Sequence, residues 1–161
     1  MSQNCHINVL KVSSRCPGVG AFFILSFSQN RGSDFFFRLY NANPINARVG
    51  DCTVRAISTA LDQPWEQTYT EMSVFGFIRC DMPSANHVWG AYLKSRGWGR
   101  AVIPDECPDC YSVKDFCRDY SEGRYILAID GHVVAVINGN YFDTFDSGDL
   151  TPIFYWYKKG S

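Results

Sequence analysis

Two stretches of the chain decide the predicted fold: residues 50–61, GDCTVRAISTAL, and residues 128–146, AIDGHVVAVINGNYFDTFD. In the first, apolar residues recur at helical spacing, which predicts a helix from about Cys52 to the end of the stretch. Gly50 supplies the tight turn before it, and Asp51 is expected to cap the helix by accepting N–H groups of its first turn. A thiol is therefore predicted at the start of a helix.

The second stretch predicts a β-hairpin. Asp130-Gly131 and Asn138-Gly139 are dipeptides typical of hairpin turns, and the apolar run between them is typical of a strand. His132 stands at the start of that strand, immediately after the first turn. A titratable side chain is unusual at the start of an otherwise apolar strand. His132 is either a functional residue or a histidine whose ring nitrogens are satisfied by hydrogen bonds at the strand end.

Helix signals precede strand signals along most of the chain, which predicts an α+β fold with the N-terminal helices packed on one face of a C-terminal antiparallel β-sheet. The predicted helices are residues 52–61; 64–74, beginning at Pro64 or Trp65 and ended by Gly76; 85–96, capped by Ser84; and 113–120, capped by Ser112. The predicted strands are residues 34–40, 124–129, 132–137, 141–145 and 152–157. Residues 1–33 are predicted to be an N-terminal extension to a single domain at residues 34–161.

Composition excludes several classes of function. A net charge of -1 gives no electrostatic footprint for a nucleic-acid partner. No apolar run is long enough to cross a bilayer, so no membrane partner is expected. The short apolar run at residues 18–27 resembles a signal peptide's hydrophobic region, but no convincing cleavage site follows it. The sequence makes no prediction of oligomeric state.

The chain has 7 cysteines, an odd number, so at least one thiol is free or pairs with another chain. Free thiols in a chain of this size favour a reducing, cytoplasmic location. Cys107 and Cys110 form a CxxC pair, to which Cys80 and Cys117 are possible further ligands. A structural zinc needs four converging ligands, and one CxxC pair is a weak signal, so neither a metal nor a cofactor is expected.

Cys52 and His132 are the candidate catalytic pair. A cysteine attacks a carbonyl as its thiolate, and a helix N-terminus and an adjacent imidazolium both lower the thiol pKa. Folding that brings His132 to Cys52 would supply both devices, which is the usual arrangement of a thiol nucleophile with its base. The alternative reading of Cys52 is a small residue buried at a helix start.

A catalytic histidine usually has an acceptor that fixes its ring, and Asp143 and Asp146 are the candidates. A three-residue hairpin loop would pair Ile137 with Tyr141 and place Asp146 directly across from His132. A two-residue loop would bring Asp143 onto the histidine's face, but diagonally. Asp146 is the preferred third residue, Asp143 is the alternative, and both could instead be solvated turn carboxylates.

An oxyanion site needs two donors. The backbone N–H of Cys52 is the first, and the side-chain amide of Asn46 or Asn43 is the candidate for the second. The alternative for either asparagine is a structural role in the turn around Pro44.

In these residues the sequence resembles papain-like cysteine peptidases, in particular small bacterial and phage-encoded members akin to the double-glycine-leader peptidases. The resemblance covers about residues 36–158. It rests on three matches: an amide six residues before the nucleophile, Asn46, where the family more often has Gln; Cys52 opening the central helix after Gly50-Asp51; and His132 starting a strand that is followed by Asn140-Tyr141 and Asp146-Ser147. The last match also favours Asp146 over Asp143.

The resemblance implies a papain-like α+β architecture and a cysteine peptidase. Cys52, His132 and Asp146 would then cleave peptide bonds of a peptide or protein substrate through an acyl-thioester. Two alternatives remain open. A peptidoglycan amidase or an acyltransferase would use the same apparatus, and a phage or bacterial binding module would keep the fold without catalysis.

Overall fold

A six-stranded sheet with helices on both faces forms the fold. The structure, a computed structural model, describes residues 36–103 and 111–158, which lie in the unit Asp34–Ser161. In chain order the elements are β1 (Phe37–Leu39), α1 (Cys52–Leu61), α2 (Trp65–Arg79), α3 (Asn86–Ser95), β2 (Trp98–Val102), α4 (Val113–Asp119), β3 (Arg124–Ile129), β4 (His132–Ile137), β5 (Asn140–Asp143) and β6 (Pro152–Lys158). The α+β class predicted from the sequence is confirmed.

The strand order is β1-β5-β4-β3-β6-β2, with β4 and β3 at the centre. All neighbours pair antiparallel except β1 and β5, which are parallel. The predicted bounds of β3 and β4 are those observed, because each strand is a short apolar run between turn residues. The prediction of a wholly antiparallel sheet is wrong at the β1 edge.

The prediction that the helices share one face of the sheet is also wrong. Alternate β3 residues enter two different cores: Ile126 and Ala128 pack with α1, α2 and α3, whereas Leu127 and Ile129 pack with α4. Because successive strand residues point to opposite faces, α4 covers the face opposite to the other helices. The physical reason lies in β3 and β4, which are apolar in both alternations and therefore bury both faces.

Helix α1 has the bounds predicted from its periodicity, and it packs on β4. Ile57 is fully buried, and Val54, Ala56 and Ala60 join it in the core. This packing fixes the direction of α1 across the sheet. Its N-terminus, which carries Cys52, consequently lies at the start of β4.

Several predicted helix ends are wrong. Helix α2 passes through Gly76 and ends at Arg79, and Cys80 follows in a left-handed conformation. Helix α3 begins at Asn86 without a side-chain cap from Ser84.

Ser112 does cap α4, as predicted, and Asp115 completes the capping box. Strand β2 was not predicted, because Gly97 and Gly99 in its neighbourhood are typical of loops. Pairing with β6 at the sheet edge stabilises β2 nevertheless.

Two predictions fall on the remainder of the chain. The N-terminal extension at residues 1–33 and the CxxC pair at Cys107 and Cys110 lie outside the described residues. Within residues 36–103 and 111–158, none of the helices has the length and apolar character needed to cross a bilayer.

Gly76 provides a test of packing at the end of α2. A Cβ at this position would stand 2.7 Å from the backbone oxygen of Asp81 and 3.2 Å from the nitrogen of Pro83. Helix propensity alone would make Gly76→Ala stabilising. We expect destabilisation by about 1–3 kcal/mol instead, because the backbone must shift. Urea unfolding measures this, with Val74→Ala on the exposed side of α2 as the control; a more stable Gly76→Ala variant would contradict the described packing.

Candidate active site

An open crevice of about 440 Å³ lies where the start of α1 meets the start of β4. Cys52 and His132 both line it, as the sequence predicts. Cys52 is half-buried, and the side chain of His132 is 13% exposed. Both groups can therefore be reached from solvent while much of their surroundings is protein.

Asp143 is the carboxylate that holds His132. Its Oδ2 lies 2.6 Å from Nε2 of the ring, and the Asp143 side chain is only 3% exposed. Asp143 Oδ1 accepts the backbone N–H of Thr144 at 2.7 Å, which fixes the carboxylate. With Nε2 engaged, the other ring nitrogen, Nδ1, remains for the sulfur of Cys52.

The preference for Asp146 as the partner of His132 is wrong, and the hairpin turn explains why. Asn138 and Gly139 both have positive φ, 48° and 70°, which makes a two-residue turn. Ile137 therefore pairs with Asn140, and Ala135 with Phe142. Continuing this register places Asp143 opposite the residue two positions beyond His132, on the same face, which is the diagonal arrangement of the alternative prediction.

Asp146 has a structural role instead. It accepts a hydrogen bond from the Tyr141 hydroxyl and one from the backbone N–H of Gly148 at 3.1 Å. These bonds lower the pKa of Asp146 and order the loop that follows β5. The motif that favoured Asp146 is present, but it stabilises a turn next to the site.

Phe145 covers one side of His132. The two ring centroids are 5.0 Å apart at an interplanar angle of 44°. The Phe145 ring thus adds an apolar contact to the imidazole beside its hydrogen bond with Asp143.

The pKa of the Cys52 thiol is lowered. Burial alone would raise it, but the hydrogen bond and the charge of His132 outweigh burial, assisted by the backbone N–H of Val133 and the side chain of Thr53. The pKa of His132 is raised to about 9: burial opposes this, and the hydrogen bonds and charges of Asp143 and Cys52 produce it. At neutral pH these shifts favour a thiolate–imidazolium pair.

Asp51, the predicted cap of α1, makes no side-chain cap hydrogen bond. Its buried carboxylate instead contacts Arg55 Nη1 at 2.5 Å, Asn43 Nδ2 at 2.9 Å and Trp65 Nε1 at 3.0 Å. These contacts fasten the loop before α1 and the start of α2 to the residue next to Cys52. The N–H groups of the first turn of α1 are left free of the Asp51 carboxylate.

The two asparagines predicted as oxyanion donors do not serve the crevice. Asn43 is buried, and its amide is occupied: Nδ2 donates to Asp51, and Oδ1 accepts from the N–H groups of Ile45 and Ala47. Asn46 is exposed in the same loop at a φ of 53° and is not among the residues lining the crevice. The turn-forming role weighed as the alternative applies to Asn43.

Asn86, which the sequence did not single out, does line the crevice. Its Oδ1 accepts a hydrogen bond from Trp89 Nε1 at 3.1 Å, which fixes the amide and turns its NH₂ group to other acceptors. The only sequence signal was its place in the first turn of α3, which does not identify a site.

The cysteines other than Cys52 lie apart from the crevice where they are described. Cys117 is buried in the α4 core, and burial raises its pKa to about 12. Cys80 is exposed at the end of α2, on the other face of the sheet. One ion therefore cannot take both thiols, and the described residues contain no group of three potential metal ligands.

The comparisons with known proteins found no match to the chain among protein-family models, curated proteins or solved structures. The function of the site is therefore argued from its geometry.

The role of Asp143 can be tested by the pH dependence of alkylation. Asp143→Asn should lower the pKa of His132 towards its ordinary value of 6.5, because the imidazolium loses its carboxylate. The weaker imidazolium charge should then raise the pKa of Cys52, so the iodoacetamide rate falls at pH 7 while it persists near pH 9. Mass spectrometry of Cys52 modification between pH 6 and 10 gives the profile. Asp146→Asn is the matched control, and a shift in that variant alone would refute the assignment.

The Asp51 contacts predict a large effect on stability. Asp51→Asn removes the negative charge that faces Arg55, which is only 9% exposed. Because it leaves a buried guanidinium without its counter-charge, the substitution should lower the free energy of unfolding by about 3 kcal/mol. Asp62→Asn removes a carboxylate from an exposed pair with Arg124 at 3.7 Å and should cost at most about 1 kcal/mol. Chemical denaturation of both variants measures the difference, and equal effects would show that the buried pair is not special.

Proposed function

We propose that the protein is a thiol-dependent hydrolase that cleaves amide bonds of peptide or protein substrates, with Cys52, His132 and Asp143 as its triad. One observation carries the proposal. The Cys52 thiol, with its lowered pKa, and His132, with its raised pKa, open onto a crevice, while Asp143 holds Nε2 of the imidazole ring. Groups with opposed pKa shifts in a cleft are typical of active sites.

In this mechanism the Cys52 thiolate attacks the substrate carbonyl carbon and forms a tetrahedral oxyanion. The oxyanion collapses, the C–N bond breaks, and His132 transfers its proton to the leaving amine. This step leaves an acyl-thioester on Cys52 and a neutral imidazole. His132 then takes a proton from water, the resulting hydroxide attacks the thioester, and the acid leaves as the thiolate–imidazolium pair re-forms.

The N-terminus of α1 supplies the electrostatic part of the mechanism. Backbone N–H groups at the start of a helix, including that of Cys52, have no intrahelical acceptor and carry partial positive charge. Since Asp51 does not cap them, they are available to a developing oxyanion. Asn86, which lines the crevice and whose Oδ1 is held by Trp89, is the side-chain donor proposed to assist them.

The arrangement also supports the papain-like architecture suggested by the sequence resemblance. A helix that opens with the nucleophile packs across a sheet whose strand carries the histidine and whose next strand carries its acceptor. An acyltransferase or a peptidoglycan amidase would use the same thioester, with another acceptor or substrate. A binding module does not require an accessible thiolate–imidazolium pair, so the Cys52–His132 pair favours the enzyme over a binding module.

Cys52→Ala tests the proposal. We expect a folded protein that has lost at least about 10³-fold in hydrolysis of activated esters and peptides, because the covalent intermediate cannot form. Electrophilic peptide probes should label the wild type at Cys52, and mass spectrometry should detect an acyl-enzyme.

Cys80→Ala is the matched control, because Cys80 is exposed, follows the C-terminus of α2 and does not line the crevice. Its activity should equal that of the wild type. Preferential labelling of Cys80 over Cys52 in the native protein would contradict the proposal.

A further inference from the structure

A second groove, of about 310 Å³, adjoins the Cys52 crevice. Asn86 and Phe154 line both depressions, so the two adjoin at these residues. A substrate chain bound across Cys52 therefore meets the second groove in one direction. An extended chain that lies across Cys52 and continues past Phe154 enters this groove.

The wall between the two depressions is held by several contacts. Phe154 lies between two other groups: the Arg100 guanidinium stands 4.0 Å from its ring centroid, and the Trp89 ring stacks on it at 5.9 Å. Trp89 also holds Asn86 by the hydrogen bond to Oδ1. The wall is thus ordered before substrate arrives, and the free NH₂ group of Asn86 can bind a substrate backbone carbonyl.

The charge of the second groove differs from that of the crevice. Lys94 and Arg100 line the groove, both are exposed, and neither forms an ion pair among the described residues. His87 stands at the groove with its Nε2 3.4 Å from Asp81. The crevice around the thiol has the carboxylate of Asp130 instead. The positive side chains therefore lie on the far side of Phe154 from Cys52, where an extended substrate would place residues a few positions from the cleaved bond.

We propose that this basic groove binds a carboxylate side chain of the substrate, so that the protein selects peptides with an acidic residue a few positions from the cleaved bond. The inference rests on the proposed function of Cys52. Lys94 and Arg100 are the specificity residues, and they bind the substrate without taking part in bond cleavage.

Peptides that differ only by Glu, Gln or Lys at successive positions on each side of the cleaved bond test the specificity. For the wild type, Glu at one position should lower KM about fivefold relative to Gln, with little change in kcat, because exposed charge pairs are weak individually. Added salt should reduce the preference. The double variant Lys94→Gln/Arg100→Gln should lose it, and Lys94→Glu/Arg100→Glu should prefer the Lys peptide.

Two controls separate charge from structure. Arg100→Lys removes the guanidinium plane over Phe154 but keeps the charge, and it should retain the preference for Glu. Arg79→Gln lowers the net charge by one at the end of α2, outside both depressions, and should also retain it. An unchanged Glu preference in Lys94→Gln/Arg100→Gln, or none in the wild type, would overturn the inference.

Failure of the inference is distinguishable from failure of the proposed function. Hydrolysis of activated esters at Cys52 without any charge preference among peptides would remove the basic groove as a specificity site and leave the hydrolase intact. If no substrate is turned over, fluorescence anisotropy of the Glu and Gln peptides with Cys52→Ala decides. Tighter binding of the Glu peptide, lost in the Lys94→Gln/Arg100→Gln background, supports the groove, and equal binding refutes it.

Discussion

The packing of α1 against β4 is the constraint on which the candidate site depends. Ile57 and its neighbours on α1 bury themselves against alternate residues of β4, and this fixes where the helix begins relative to the strand. Cys52 and His132 are the first residues of these two elements. A hydrophobic interface therefore sets the positions of two polar groups, the Cys52 thiol and the His132 imidazole.

Around that interface, two carboxylates have different roles that follow from their surroundings. Asp143 faces a single titratable partner and makes the imidazole more basic, whereas Asp51 neutralises a buried guanidinium and orders the approach to α1. The first controls charge at the reacting groups, and the second controls the shape of the chain that holds them. The two roles differ because the donors around the two carboxylates differ: His132 and a backbone N–H for Asp143, and Arg55, an amide and an indole for Asp51.

The sequence predicted the parts of the structure that depend on local pattern. The bounds of α1, β3 and β4 and the Ser112 cap follow from periodicity and turn residues, and so does the placement of Cys52 and His132 at the starts of their elements. What it missed depends on contacts between distant segments. Strand β2 exists because β6 pairs with it, and α4 crosses to the second face because both faces of β3 are apolar.

The functional residues that were misassigned have the same origin. From the sequence Asn43 could be a free amide, but in the structure it donates to the Asp51 carboxylate. Asn86 lines the crevice because α3 packs beside it, which the sequence does not show. The choice between Asp143 and Asp146 depended on one residue of loop length, which dipeptide composition alone left open.

The two-residue turn at Asn138-Gly139 therefore limits how this chain can change during evolution. If a residue is inserted there and the two-residue turn is kept, β5 slides along β4 by one residue and its side chains exchange faces, so Asp143 points away from the histidine. Length variation is tolerated in most surface loops, but in this hairpin a shift of register would separate the histidine from its carboxylate while leaving each site residue present in the sequence. A change of register at this turn would thus be invisible to residue-by-residue inspection of the sequence.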